Sequence, residues 1–130
     1  MKTSRFDPAR PLIYVVGRVW GPLGSQRLSL VLDTGASMTL LAPEVLDDLG
    51  YSPRDGVART HVTSATSREP GYTIRVSRFT ALGFTCTNFL VHAFDLTDRA
   101  DIDGLIGLDY LQQFNYEIRS TDGRIHVERV

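Results

Sequence analysis

The sequence is short of most features that mark a functional class. It has one cysteine, Cys86, so no internal disulfide can form and a disulfide-framed fold is excluded. Cys86 lies in the apolar setting Gly83 to Phe89 and reads as a small core residue. As a nucleophile it would need a histidine partner, and the sequence marks none. No apolar run is long enough to cross a bilayer, and Met1 to Pro8 holds no apolar stretch of signal-peptide length. A soluble, reducing, cytoplasmic setting is therefore expected. The formal net charge is -1 and the arginines never form a basic run. No pull toward nucleic acid or an anionic membrane is expected from that balance. His61, His92 and His126 are far apart and lack metal-ligand spacing. Asp101-Ile102-Asp103-Gly104 has the opening of a calcium loop without its later ligands. There is no phosphate-cradling glycine loop. Neither a metal nor a cofactor is expected.

Period-two alternation and Gly/Pro punctuation fill the chain instead, which predicts an all-β fold with one or two short helices. Length and composition fit one domain over residues 1–130, with 42% hydrophobic and 22% charged residues. Strands are predicted at Leu12–Val16, Arg27–Leu32, Phe89–Phe94, Tyr116–Ile118 and Arg124–Val130. Arg59–Thr66 and Tyr72–Thr80 read as a hairpin with the polar segment Ser67–Gly71 at its tip. Ala42–Gly50 reads as a helix: Pro43 suits its first turn, Gly50 suits its stop, and Val45, Leu46 and Leu49 share a face. Asp109–Phe114 reads as a second short helix.

The strongest local signal is Asp33-Thr34-Gly35, directly after the apolar run Leu30-Val31-Leu32. A carboxylate at the end of a buried strand is costly unless hydrogen bonds or a partner offset its desolvation. Asp-Thr-Gly is also ordinary turn chemistry, so the triplet alone does not decide. A weak internal echo joins the two halves, each running apolar strand, glycine turn, short helix: Leu32–Gly35 before Val45–Leu49, and Leu105–Gly107 before Tyr110–Phe114.

Leu32 to Ser37, the Thr/Ser-rich hairpin from Arg59, and Leu105-Ile106-Gly107 before the second helix together resemble the retropepsins. These are the single-domain aspartic proteases of retroviruses and their cellular and bacterial relatives. The resemblance spans Leu12 to Val130. It implies a closed retropepsin-like β-barrel and one catalytic aspartate, Asp33, per chain, because 130 residues are too few for two lobes. Two copies of Asp33 would meet across a two-fold axis and share one proton. The activity implied is endopeptidase cleavage of extended peptide segments, with apolar side chains preferred on either side of the cut. Thr34 would bridge the two loops and Gly35 would offer its backbone to substrate. Ala36, the hairpin residues Thr63, Ser64, Ala65 and Thr66, and Asp103 with Leu105 would line the substrate site. The alternative is an inactive dimerisation or peptide-binding module of the same fold.

Three departures from the family pattern stand out. Viral members carry an acidic residue where Ser37 stands and an arginine where Leu108 stands; both are missing here together. Between Arg59 and Thr80 the only glycine is Gly71, few for a flap. Ala36 cannot donate the extra hydrogen bond that Ser or Thr would give the carboxylate, which predicts a less acidic working range. The terminal stretch Arg124–Val130 is the expected dimer contact.

Overall fold

The computed structural model describes residues 1–63, 68–96 and 101–130. Strand β1 (Lys2–Arg5) leads to β2 (Tyr14–Gly21) and β3 (Gly24–Leu32). In β2 the alternation is regular: Val15, Gly17 and Val19 are buried while Val16 and Arg18 face out. After β3 come β4 (Leu40–Leu41), helix α1 (Pro43–Asp48) and a 3₁₀ turn at Pro53–Asp55. The hairpin β5 (Ala58–Thr63) and β6 (Arg68–Ala81) precedes β7 (Phe84–Ala93). Then follow β8 (Gly104–Ile106), helix α2 (Leu108–Leu111), β9 (Phe114–Arg119) and β10 (Arg124–Arg129).

Six strands close into a barrel in the order β2-β3-β8-β4-β7-β6, sealed where Gly17–Trp20 of β2 pair with Arg78–Ala81 of β6. Closure leaves the ring without an edge, and β5 extends it as a flap-like arm on β6. A separate three-stranded sheet has the order β1-β10-β9. The barrel, α2 and that sheet meet at Tyr110. Its ring lies 5.3 Å from Phe79, 5.7 Å from Phe89 and 5.2 Å from Phe114 between centroids. Aromatic contacts of this kind contribute about 0.5–1.5 kcal/mol each beyond area burial. Helix α1 packs Val45, Leu46 and the following Leu49 into the core, as its spacing predicts.

Several boundaries differ from the sequence expectation, each for a tertiary reason. Pro70 and Gly71 lie inside β6, so the hairpin turns between Thr63 and Arg68 and not at Ser67–Gly71. A proline is tolerated there because Arg68–Gly71 pair only with β5, leaving a side where no N–H is needed. Strand β6 also changes phase: Val76 and Phe79 are buried while Ser77 and Arg78 between them are exposed. Ser77 is unpaired in the β7 ladder. Its N–H donates to the Tyr51 hydroxyl at 2.9 Å, and its own hydroxyl donates to Trp20 O at 3.0 Å. The expected dimer contact, Arg124–Val130, coincides with β10, which is hydrogen-bonded to β1 on one side and β9 on the other. Pairing with β1 reaches only Arg124–Val127, so Glu128 and Arg129 pair with β9 alone; the outer strands of this sheet are β1 and β9.

Candidate active site

Strand β3 runs through the barrel wall and is buried at Leu30, Val31 and Leu32. Parallel pairing sets Leu30, Val31 and Leu32 against Gly104, Leu105 and Ile106 of β8. The ladder continues one residue past the strand, where Asp33 N donates to Ile106 O at 2.9 Å. Asp33 thus has a fixed main chain and a half-buried side chain. Its Oδ1 accepts the Gly35 N–H at 2.9 Å, and its carbonyl accepts the Ala36 N–H at 3.2 Å. Thr34 and Gly35 are exposed, and Ala36 is half-buried. The loop therefore presents one carboxylate and a stretch of free backbone at the end of a rigid strand.

Beneath this loop the N-terminus of α2 is fastened to residues 36–39. Leu108 N donates to Ala36 O at 2.8 Å, and Asp109 N to Ser37 O at 3.2 Å. Asp109 Oδ1 accepts both the Thr39 N–H at 2.9 Å and the Thr39 hydroxyl at 2.8 Å. The same hydroxyl accepts the Gly107 N–H at 3.2 Å. Thr39 is fully buried. Gly107 has no room for a side chain, since an added Cβ would stand 2.5 Å from the Met38 carbonyl and 3.0 Å from Ala36 O. Main-chain bonds at Ala36 and Ser37 thus join the Asp33 loop to the first turn of α2. Sequence reasoning placed Asp109 only as a helix residue and passed over Thr39. The spacing of 70 residues between them carries no local signal.

Val31 lies two residues before Asp33 and so on the same side of the extended chain. There it forms a small apolar cluster with Ile102 and Leu105, joined by Leu12, Tyr14, Leu40 and Leu96. Leu105 stands opposite Val31 in the ladder, next to Ile106, whose carbonyl holds the Asp33 N–H. The rim of the cluster is polar: Asp101 Oδ2 accepts the Tyr14 hydroxyl at 2.9 Å and Arg10 Nη2 at 3.5 Å. Asp103 Oδ2 accepts the Ser29 N–H at 2.8 Å, four residues upstream of Asp33 on β3, and its main chain bonds to Ser29 O and to the Ala42 N–H. Thr63 ends β5, while Ser64, Ala65 and Thr66 lie outside the described residues. Gly71 packs against β7, where a Cβ would meet Ala93 O at 2.6 Å and His92 Nε2 at 2.8 Å.

Cys86 is half-buried, packs against the core and has its thiol 3.4 Å from Gln113 Oε1. His92 is buried and His126 Nδ1 lies 2.9 Å from the Thr3 hydroxyl. Among the described residues, no helix is long and apolar enough to cross a membrane.

The sequence matches the family model described as aspartyl protease over residues 17–110, a span that holds both the Asp33 loop and the Gly107 turn. No curated protein sequence matches the chain. A retropepsin-like aspartic protease from Rickettsia conorii superposes with a TM-score of 0.68 at 17% identity, over 95% of this chain and 94% of that one. The retroviral protease-like domain of Ddi1 from Leishmania major gives 0.61 at 15% identity, over 92% and 90%. The EIAV protease complexed with the inhibitor HBY-793 gives 0.52 at 21% identity, over 79% and 86%. At these identities the structural likeness is one of fold, and the match of the family model supplies the kinship. The chain is a member of the aspartyl protease family with a retropepsin-like fold.

Proposed function

We propose that two copies of this chain form an aspartic endopeptidase, with the two Asp33 carboxylates facing each other across a two-fold axis. The observation that carries this reading is the Asp33 loop: a half-buried carboxylate on a main chain held by Ile106 O, with Gly35 N–H bonded to Oδ1. Two such groups in contact cannot both ionise cheaply, so the pair holds one proton. The ionised member takes a proton from a bound water as it attacks the scissile carbonyl. The protonated member donates to the carbonyl oxygen. Collapse of the tetrahedral intermediate returns a proton to the leaving amine. Thr34 and Gly35 complete the loop, with Gly35 backbone available to an extended peptide. Ala36 and Thr63 would line the substrate site with Ser64, Ala65 and Thr66, which lie outside the described residues, and the cluster around Val31 and Leu105 favours an apolar substrate side chain. Terminal strand β5 offers a main-chain edge of the kind that extended peptides bind. The 130 residues act as one unit, and a cytoplasmic setting accords with the single thiol of Cys86.

Digestion of a peptide library by the wild type and by Asp33→Asn tests the assignment. Cleavage is expected from the wild type and a loss of at least 100-fold from the variant, since the pair then lacks its shared proton. Equal cleavage by both proteins rules out Asp33 as the catalytic group, and none by either leaves a peptide-binding or dimerisation module of the same fold.

A further inference from the structure

The Asp33 loop is not self-supporting. Between Leu32 and Leu40 its main chain makes one internal turn bond, Ala36 N to Asp33 O, and the rest of its support comes from Ile13, from β7 through His92 N–H to Thr39 O, and from β8 and α2. The support from α2 converges on one side-chain relay. Gly107 N–H bonds to Thr39 Oγ1, the Thr39 hydroxyl donates to Asp109 Oδ1, and Thr39 N–H donates to the same oxygen. Thr39 shows no exposed surface, so its hydroxyl and N–H have no water as a substitute partner. The two residues of α2 that hold Ala36 and Ser37 by backbone bonds, Leu108 and Asp109, are placed by this relay.

We infer that Asp109 and Thr39 are positioning residues for Asp33, a role that rests on the protease reading above. The relay sets the height and tilt of residues 36–39 against α2, and through them the orientation of Asp33-Thr34-Gly35. Neither residue touches substrate in this arrangement. What the relay requires of position 109 is an acceptor oxygen of the right reach, because both donors come from Thr39 and end on one atom. What it requires of position 39 is a hydroxyl that both accepts and donates. Asn at 109 and Ser at 39 satisfy those demands; Leu at 109 and Val at 39 do not. A misplacement of about 1 Å in a reacting group costs on the order of 100-fold in rate. Substrate binding along the hairpin and the apolar cluster is untouched by the relay, so the loss belongs to turnover.

The test measures kcat and KM separately for wild type, Asp109→Leu, Asp109→Asn, Thr39→Val and Thr39→Ser, with thermal melts on each protein. Asp109→Leu and Thr39→Val are expected to lose about 10- to 100-fold in kcat with KM within about 3-fold of wild type. Asp109→Asn and Thr39→Ser are expected to keep kcat within about 3-fold, and the Leu/Val double variant to lose little more than either single one, since both break one relay. Folded Leu and Val variants with wild-type kcat overturn the proposal, as does Asp109→Asn falling as far as Asp109→Leu. Should the Leu or Val variant not fold, Thr39→Ala, which removes the hydroxyl bonds together with the γ-methyl, stands in for it under the same criteria. Failure of the protease reading is separate: there the wild type itself cleaves nothing, and this inference falls with it.

Discussion

At the scale of single residues, two buried tyrosines make a matched pair. The Tyr110 hydroxyl lies 2.7 Å from Ala81 O and 2.8 Å from Phe84 O, and accepts the Ala81 N–H at 3.3 Å. Burial, with a smaller push from the nearby Cys86, holds its phenol well above the ordinary range against the opposing pull of the Ala81 hydrogen bond, so it stays a neutral donor. Tyr110→Phe leaves those groups without a partner and is expected to cost about 1–3 kcal/mol. Tyr72 is also buried, though less completely, and its hydroxyl has no hydrogen-bond partner among the described residues. Tyr72→Phe is expected to leave stability unchanged or raise it. Denaturant melts of the two variants decide the matter, and equal losses in both refute the argument from hydrogen-bond satisfaction. His92 gives a pH signature. Burial holds its imidazole below the ordinary value of 6.5. Because the unfolded chain takes up that proton more readily, the folded state is favoured above about pH 6.5 and loses that advantage as pH falls toward the lower folded value. Melting temperatures followed from pH 7 to 5 are expected to fall less steeply in His92→Gln than in wild type; parallel slopes would rule His92 out as a source.

Elements explain where alternation along the chain misleads. Strand β6 is 14 residues long and serves two partners at once, β5 along its first part and β7 from Tyr72 onward, with β2 joining near its end. Its sequence looks broken because Pro70-Gly71 carries the composition of a turn, although pairing on one side only makes the proline harmless there. The two residues of β4 are too few to show any period, and they exist as a strand because Leu40 and Leu41 are hydrogen-bonded between β7 and β8. Helix α1 was legible because its apolar face, its Pro43 and its Gly50 agree on one answer. Helix α2 has only four residues, so its identity depends on what holds its first turn. That support is the Asp33 loop, which in turn depends on α2.

On the scale of the whole molecule, a barrel closed by β2–β6 pairing presents a single Asp33 loop, so the proposed chemistry needs a second copy. Specific activity is expected to fall on dilution below the dimer dissociation constant, and excess Asp33→Asn protein to suppress wild-type cleavage by forming mixed pairs. Sedimentation at matched concentrations checks both; full activity in a strict monomer defeats the two-copy arrangement. If terminal strands make the contact, β1, β9 or the end of β10 beyond Val127 supplies the edge, because β1 covers β10 only over Arg124–Val127.

The sequence by itself determined the all-β class, the apolar strand that ends in Asp33-Thr34-Gly35, and the Leu105-Ile106-Gly107 anchor. Each rests on periodicity or on residue types with one strong local preference, and such preferences act over a few neighbouring residues. Tertiary structure alone decided which distant groups meet. It spent the Asp103 carboxylate on Ser29, carried β6 through a proline, enclosed β10 within its sheet, and bonded Thr39 to Asp109. Those outcomes depend on barrel closure, which sets hydrogen-bond partners by position in space, and no local pattern encodes a partner 70 residues away.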